Sequence, residues 1–378
     1  MNRDRLRILL INYRDITNPR AGGAEVHLHE IFKRIAGMGH KVDLLCSRYS
    51  GSTSRQVIDG IRIARTGREP YFNFRAQMFL LRLKPNTYDI VIEDVNKIPV
   101  YSPVFTKIPT LLIVPHLFGT TVFQEASVPI ALYVYLWELL IPYIYRGLEV
   151  EVISESTKRD LVRRGFDPRK IHIIYCGTAT DLYFPDDDDK HEPQFPYIVC
   201  IGRLKKYKRM DLVINAFSNL GNEHSKVRLL IIGDGDHVHA LKRLSRRLGI
   251  HKKVVFVGHV SESEKVRFLR GAEFVVNTSP KEGWGLTNIE AQACGIPVLA
   301  SDSPGLSESV RNGETGMLVP HGDIEALTDA MKTLLSDGTL RKKLGMRAAE
   351  WSRGFSWEQA AEETMQLIFK VHRNSHDL

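Results

Sequence analysis

The chain has 378 residues, 43% hydrophobic and 25% charged, which is enough for two domains with ordinary globular cores. With 28 Gly and 17 Pro there is no collagen-like or low-complexity excess, and the composition excludes wholesale disorder. Lys and Arg exceed Asp and Glu by 8, which points to an anionic partner: nucleic acid, an anionic membrane surface or a phosphorylated small molecule.

The N-terminus is basic and then apolar. The apolar part is too short for a signal-peptide core and reads as a first strand, Leu6 to Asn12. A glycine-containing turn follows at Arg20 to Gly23. Leu28, Ile31, Phe32 and Ile35 recur at helical spacing, Gly37 and Gly39 end that helix, and Val42 to Cys46 is the next strand. Further strands are expected at Tyr88–Ile92, Thr110–Val114, Glu149–Ile153 and Ile171–Tyr175, with a helix at Thr157–Arg164. Val128 to Tyr145 is strongly apolar and aromatic. Glu138 and Pro142 interrupt it, so it reads as a buried helix or a membrane-surface helix rather than a span.

Pro185 to Pro193 is acidic and bounded by proline, the signature of a linker. A second alternating series follows. Strands are expected at Tyr197–Ile201, Val227–Ile232, Val254–Val257, Phe274–Asn277, Pro297–Ala300 and Gly316–Val319. Helices are expected at Arg209–Leu220, His237–Leu248, Glu262–Arg270, Leu286–Cys294 and Asp323–Leu335. Ser261 with Glu264, and Ser356 with Gln359, form capping boxes; the second opens a terminal helix. Near-continuous apolar strands alternating with amphipathic helices predict two doubly wound α/β halves with parallel sheets. Cys46, Cys176, Cys200 and Cys294 have no close pair. That excludes a redox CxxC, a zinc ribbon and a disulfide framework, and predicts buried thiols in a reducing compartment.

Four loops that follow predicted strands carry the chemistry. In Ser279 to Pro297, Gly283 and Gly285 bracket Trp284 and a helix opens at Leu286 and Thr287. Free amides at a helix start, with glycines that let a phosphate approach the backbone, make an anion site. A diphosphate there puts its ribose near Glu290 and the group beyond it near Glu282. In Ile201 to Arg209, Arg203 and Lys208 bring cations to a helix start, where the dipole disfavours them unless an anion is bound. Gly22 and Gly23 open a helix but lack the GxGxxG fingerprint. His116 follows the strand Thr110–Val114. A metal at Asp186–Asp189 or at His237 and His239 is not expected; the acids sit in the linker and the histidines lack a third ligand.

Together these residues resemble the retaining glycosyltransferases of group one, or family four, over nearly the whole chain. The Gly-Gly-Ala-Glu loop, His116, the Gly-Arg…Lys pair and the Glu-x7-Glu element stand in family order, as do Ser301–Glu308 and Gly313–Asp323. The resemblance implies a GT-B fold: two Rossmann-like domains facing each other across a cleft, with the terminal helix crossing back. Residues 1–185 plus about 356–378 would be the acceptor domain and residues 194–355 the nucleotide-sugar domain. Arg203 and Lys208 would hold the diphosphate. The amides around Gly285, Leu286 and Thr287 would bind the distal phosphate, Glu290 the ribose and Glu282 the donor sugar. His116 would lie beside the reacting sugar, Gly22 and Gly23 would close over the diphosphate, and the base would pack near Val260. Trp284 replaces a usual phenylalanine, and Cys176-Gly177 a frequent Asn-Gly.

The expected activity is metal-independent transfer of a hexosyl group from a nucleotide diphosphate sugar, UDP- or GDP-linked, to an acceptor hydroxyl. No cofactor is implied. The acceptor would be a saccharide or lipid-linked molecule of cell-envelope, polysaccharide or glycolipid synthesis. The enzyme would be cytoplasmic, with peripheral membrane contact and no nucleic-acid partner. A GT-B epimerase or phosphorylase lacks its extra acid–base or pyridoxal signature here. A nucleic-acid binder lacks its long basic stripe.

Overall fold

The computed structural model of the chain describes residues 5–117, 119, 122–125, 128–186, 188–189 and 195–375. Two compact units emerge: Met1–Gly177 with Trp357–Leu378, and Thr178–Ser356. The acidic run expected as a linker lies partly outside the described residues. The division falls before it, because Thr178 N donates to Phe355 O at 3.0 Å and Tyr183 is buried in the core of the second unit.

The first unit holds an eight-stranded sheet. Its strands are β1 (Arg7–Ile11), β2 (Lys41–Arg48), β3 (Arg55–Ile58), β4 (Ile61–Arg68), β5 (Ile90–Asp94), β6 (Thr110–Val114), β7 (Val150–Val152) and β8 (Ile171–Ile173). Their order is β3-β4-β2-β1-β5-β6-β7-β8, parallel except for the antiparallel β3–β4 pair. Helices cover both faces, so residues 8–11 of β1 are all buried rather than alternating. The second unit holds β9 (Tyr197–Ile201), β10 (Arg228–Ile232), β11 (Val254–Gly258), β12 (Val275–Asn277), β13 (Val298–Asp302) and β14 (Gly316–Pro320), in the order β11-β10-β9-β12-β13-β14. Every pairing in it is parallel. All four cysteines are buried free thiols.

Each sheet has one place where the strand order reverses: between β1 and β5 in the first unit, and between β9 and β12 in the second. Connections leave to opposite faces there, which opens a crevice at the carboxyl edge.

The helix Trp357–Asn374 is part of the first unit and packs on Gly23–Gly37. Arg34 pairs with Glu358 at 2.7 Å and Lys370 with Glu149 at 3.0 Å. Inside this seam Thr364 donates to the fully buried Glu151 at 3.0 Å, and His27 lies 3.8 Å from the same carboxyl group. Burial pushes Glu151 up to about 8 and His27 down to about 4.

These shifts set a pH dependence. Between about pH 6.5 and 8, folded Glu151 keeps a proton that an unfolded glutamate has released, so stability falls as pH rises. Below about pH 6.5, unfolded His27 takes up a proton that the folded side chain refuses, which opposes that trend. Glu151→Gln should therefore flatten the decline in urea-unfolding free energy between pH 6.5 and 8. An unchanged slope would refute the assignment.

Candidate functional site

The reversal point of the second unit is flanked by the loops after β9 and β12. After β9, Arg203 is exposed and its guanidinium donates to Tyr207 Oη at 3.3 Å. A short 3-10 turn, Lys206–Lys208, then leads through Arg209, in the left-handed conformation, into the helix Met210–Ser218. The Arg203 loop lies flat on the loop after β10. Leu204 N donates to Asp234 O at 2.9 Å, and a Cβ on Gly233 or Gly235 would occupy the carbonyl oxygen of Gly202 or Leu204.

After β12, Glu282 N donates to Pro304 O at 3.0 Å, and Ser303 Oγ donates to Ser279 O at 2.7 Å. Gly305 has a φ of 81°, and a Cβ there would fall on the Glu282 carbonyl. Gly285, with a φ of 87°, is the N-cap of Leu286–Ala293 and has no side chain to cover the first amides. The buried Asn288 fixes this helix start. It accepts from Asn277 at 3.1 Å and donates to Ser309 Oγ at 2.9 Å. Thr278 Oγ1 donates to Arg209 O at 2.8 Å and ties the two loops together.

Arg203, Lys208, Glu282, Gly283, Gly285, Leu286, Thr287 and Glu290 therefore occupy one edge of one sheet. Lys208 Nζ pairs directly with Glu282 Oε1. Burial works against the lysine's charge, but the adjoining carboxylate outweighs it and holds the pKa above its ordinary value. Glu290 lies one turn into the helix and is held by Lys265, whose Nζ is 3.1 Å from each carboxylate oxygen. Lys265 also pairs with Glu262 at 2.8 Å and sits over the Tyr183 ring, and Tyr183 Oη donates to Glu262. Burial opposes the Lys265 charge as well; Glu290 and Glu262 raise its pKa in spite of it.

Two expected residues differ in kind from the rest. The Trp284 side chain is buried, edge-on to Phe355 with ring centroids 5.3 Å apart, so only its backbone faces the loop. Val260, between β11 and the Ser261-capped helix Glu262–Arg270, is half-buried against the core. Among the described residues no group of three His, Cys, Asp or Glu side chains is placed to hold a metal. Asp186 and Asp189 pair with Arg270 instead.

In the first unit, Gly22 and Gly23 open the helix beside the β1–β5 reversal point, and Glu25 accepts from Gly22 N at 2.7 Å. His116 follows β6, one strand further along. Phe118 of that loop lies outside the described residues. Asn12 after β1, Asp94 at the end of β5 and Asn96 just beyond were not expected from the sequence. All three are buried, and Asn12 Nδ2, Asp94 Oδ1 and Asn96 Oδ1 lack hydrogen-bond partners. Burial holds the Asp94 carboxyl well above the carboxylate range, with Glu25 adding to the effect.

Comparison with known proteins gives a consistent result. Residues 21–182 match the family model described as Glycosyltransferase Family 4, and residues 185–351 match Glycosyl transferases group 1. The chain is 33% identical over 226 residues to a D-inositol 3-phosphate glycosyltransferase of Nocardia farcinica, covering 56% of this chain and 50% of that one. It thus spans about half the length of the curated relatives it matches. A sucrose-phosphate synthase from Thermosynechococcus elongatus superposes with a TM-score of 0.80 at 22% identity, over 97% of this chain and 99% of that one. Anabaena HepE in complex with UDP and glucose superposes at 0.78 and 18% identity, over 97% of this chain and all (100%) of that one.

Gly305→Ala tests the loop architecture. Left-handed strain plus collision with the Glu282 carbonyl should cost about 1–3 kcal/mol. A thermal midpoint equal to that of the wild type would contradict the close packing.

Proposed function

Because the chain belongs to the group 1, family 4 glycosyltransferases and has the GT-B fold, we propose that it transfers a hexosyl group, with retention of configuration, from a nucleotide diphosphate sugar to an acceptor hydroxyl. The observation that carries this reading is the convergence of Arg203, Lys208 and an uncovered helix start at the β9–β12 reversal point, with Glu290 one turn inside. The diphosphate neutralises both cations and accepts from the amides of Gly285 to Thr287. Glu290 receives the ribose hydroxyls, Glu282 contacts the donor sugar, and the base packs near Val260. The UDP held by HepE supports a UDP-linked donor, with a GDP-linked one as the other choice.

In the transfer, the bond from the anomeric carbon to the diphosphate oxygen breaks and a bond to the acceptor oxygen forms on the same face. The acceptor proton passes to the departing phosphate. Charge accumulates on that phosphate, where Arg203, Lys208 and the amides stand fixed and stabilise it without a metal. The first unit takes the acceptor. Its unsatisfied groups at Asn12, Asp94 and Asn96 suit hydroxyls, with Gly22, Gly23 and His116 on neighbouring loops. The acceptor is a saccharide or lipid-linked precursor of envelope, polysaccharide or glycolipid synthesis. The enzyme works in the cytoplasm at the inner membrane face, in contact through Val128–Tyr145. No nucleic acid takes part.

Losing one fixed donor to the leaving group costs about 3 kcal/mol in the barrier, so Arg203→Ala and Lys208→Ala should each lower kcat by about a hundredfold. Turnover should persist in chelator. Either variant matching the wild type there would defeat the charge-stabilisation argument. A nucleoside diphosphate at a hundred times its Kd should add about 2.7 kcal/mol of stability, so a thermal-shift screen identifies the base.

Lys265 positions Glu290 and should act on donor binding rather than on chemistry. Lys265→Met should raise donor KM about tenfold with little change in kcat, and Lys265→Arg should recover part of it. A fall in kcat at constant KM would remove Lys265 from that role.

A further inference from the structure

The membrane contact proposed above involves one apolar segment; the structure points to a wider surface. The segment forms two helices, Val128–Glu138 and Ile141–Tyr145, whose inward stripe is Ala131, Val134, Glu138, Ile141 and Tyr145. The carboxylate that interrupts the sequence therefore faces in, where Glu138 accepts from Gly119 N at 2.8 Å. The outward positions are apolar, among them Ile130, Leu136, Leu140 and Tyr143, the last 77% exposed. A helix facing water carries its polar groups outward; here the one carboxylate faces inward and the outward face is left apolar.

Exposed apolar side chains continue on neighbouring helices. Phe72–Leu81 buries Phe72, Asn73, Ala76 and Leu80 yet also exposes Phe74 and Leu81, and Ser102–Phe105 exposes Val104. These elements flank a single segment. Asn73 Nδ2 donates to Pro99 O at 2.9 Å, and Trp137 Nε1 donates to the same oxygen at 3.2 Å. Among the described residues, thirteen of the nineteen exposed large apolar side chains lie between Tyr71 and Tyr143. Charge is equally one-sided. Between Tyr71 and Arg146, Arg75, Arg82, Lys84, Lys107 and Arg146 are exposed, and none of the acidic side chains described there is.

We propose that the outer faces of Phe72–Leu81, Ser102–Phe105 and Val128–Tyr145 form one docking surface for an anionic bilayer. The apolar side chains enter the interface and the surrounding cations meet the headgroups. The helices lie on the bilayer rather than cross it. The 18 residues Val128–Tyr145 are long and apolar enough to span, but Ala131, Glu138, Ile141 and Tyr145 are packed into the first unit and a turn breaks the segment after Glu138. The inference rests on the reading that the enzyme works at a membrane, and it enlarges the contact beyond Val128–Tyr145.

The test is flotation of the full chain with vesicles of phosphatidylcholine alone and of phosphatidylcholine with phosphatidylglycerol, at low and high salt. The wild type should bind only the anionic vesicles, and salt should release it. Phe74→Glu with Leu81→Glu, and separately Leu136→Glu with Tyr143→Glu, should each weaken binding by about tenfold or more while leaving the thermal midpoint unchanged. If the first pair binds like the wild type, the wider surface is wrong and Val128–Tyr145 alone makes the contact. If the wild type does not bind, both readings fail. A dimer in sedimentation velocity that these variants dissociate would make the face a contact between two copies and overturn the proposal. Transfer to a soluble saccharide acceptor, measured without vesicles, should be equal in all variants. Its absence in the wild type would count against the proposed reaction and not against the surface.

Discussion

At three points along the carboxyl edge of the second sheet, a carbonyl oxygen occupies the volume where a side chain would begin. The oxygens of Gly202, Leu204 and Glu282 lie against Gly233, Gly235 and Gly305. Such approach between backbones is available only to glycine. With the Thr278–Arg209 hydrogen bond, it joins the four loops after β9, β10, β12 and β13 into one rigid rim. Arg203 and Glu282 stand on this rim, and the buried Asn277–Asn288–Ser309 chain of hydrogen bonds fixes the helix start beside it. Preorganisation of this kind lets fixed charges act on a leaving group without rearranging.

The rim carries its charges in pairs. Lys208 is matched by Glu282, and Lys265 by Glu290 and Glu262. Half-buried lysines without such partners would shift toward the neutral amine. The carboxylates thus keep the lysines cationic before any phosphate arrives. They also act as placeholders: a carboxylate has about four acceptor positions, so Glu290 can keep Lys265 and still receive hydroxyls. Under the proposed reading, sugar hydroxyls meet Glu282 and Glu290, whereas an isolated phosphate would leave both carboxylates facing its charge.

Most of the strands were legible because a parallel sheet covered on both faces needs unbroken apolar runs, and β6 and β9 have the residues expected. The β3–β4 hairpin was not. Its inward row includes Arg65, fully buried and bonded to Asp15 at 2.7 Å, so the pattern reads as polar. The helix Gly338–Ser352 was missed for a related reason. Besides Leu344 it buries small residues, Gly345 against the Gly295 carbonyl, Ala348 and Ser352, so its apolar stripe is thin among many charges. The site motifs were legible because glycine and charge cluster after strands. Lys265 was hidden, since a lysine three residues after a glutamate on a capped helix looks like an ordinary surface pair. The direction in which Glu138 points is a matter of helical phase against a particular core, which periodicity alone leaves open.

The chain leaves its first unit at Gly177 and returns to it only at Trp357. The second unit is therefore an insertion between the eight-stranded sheet and the helix that covers Glu151 and His27. During synthesis the ribosome completes the inserted unit, whose strands and helices are all internal to it, before the last helix of the first has emerged. Domains fold as they are made, so the first unit waits, its polar seam open to water, until translation of the other is finished. The order of maturation is then the reverse of the order in which the two units begin.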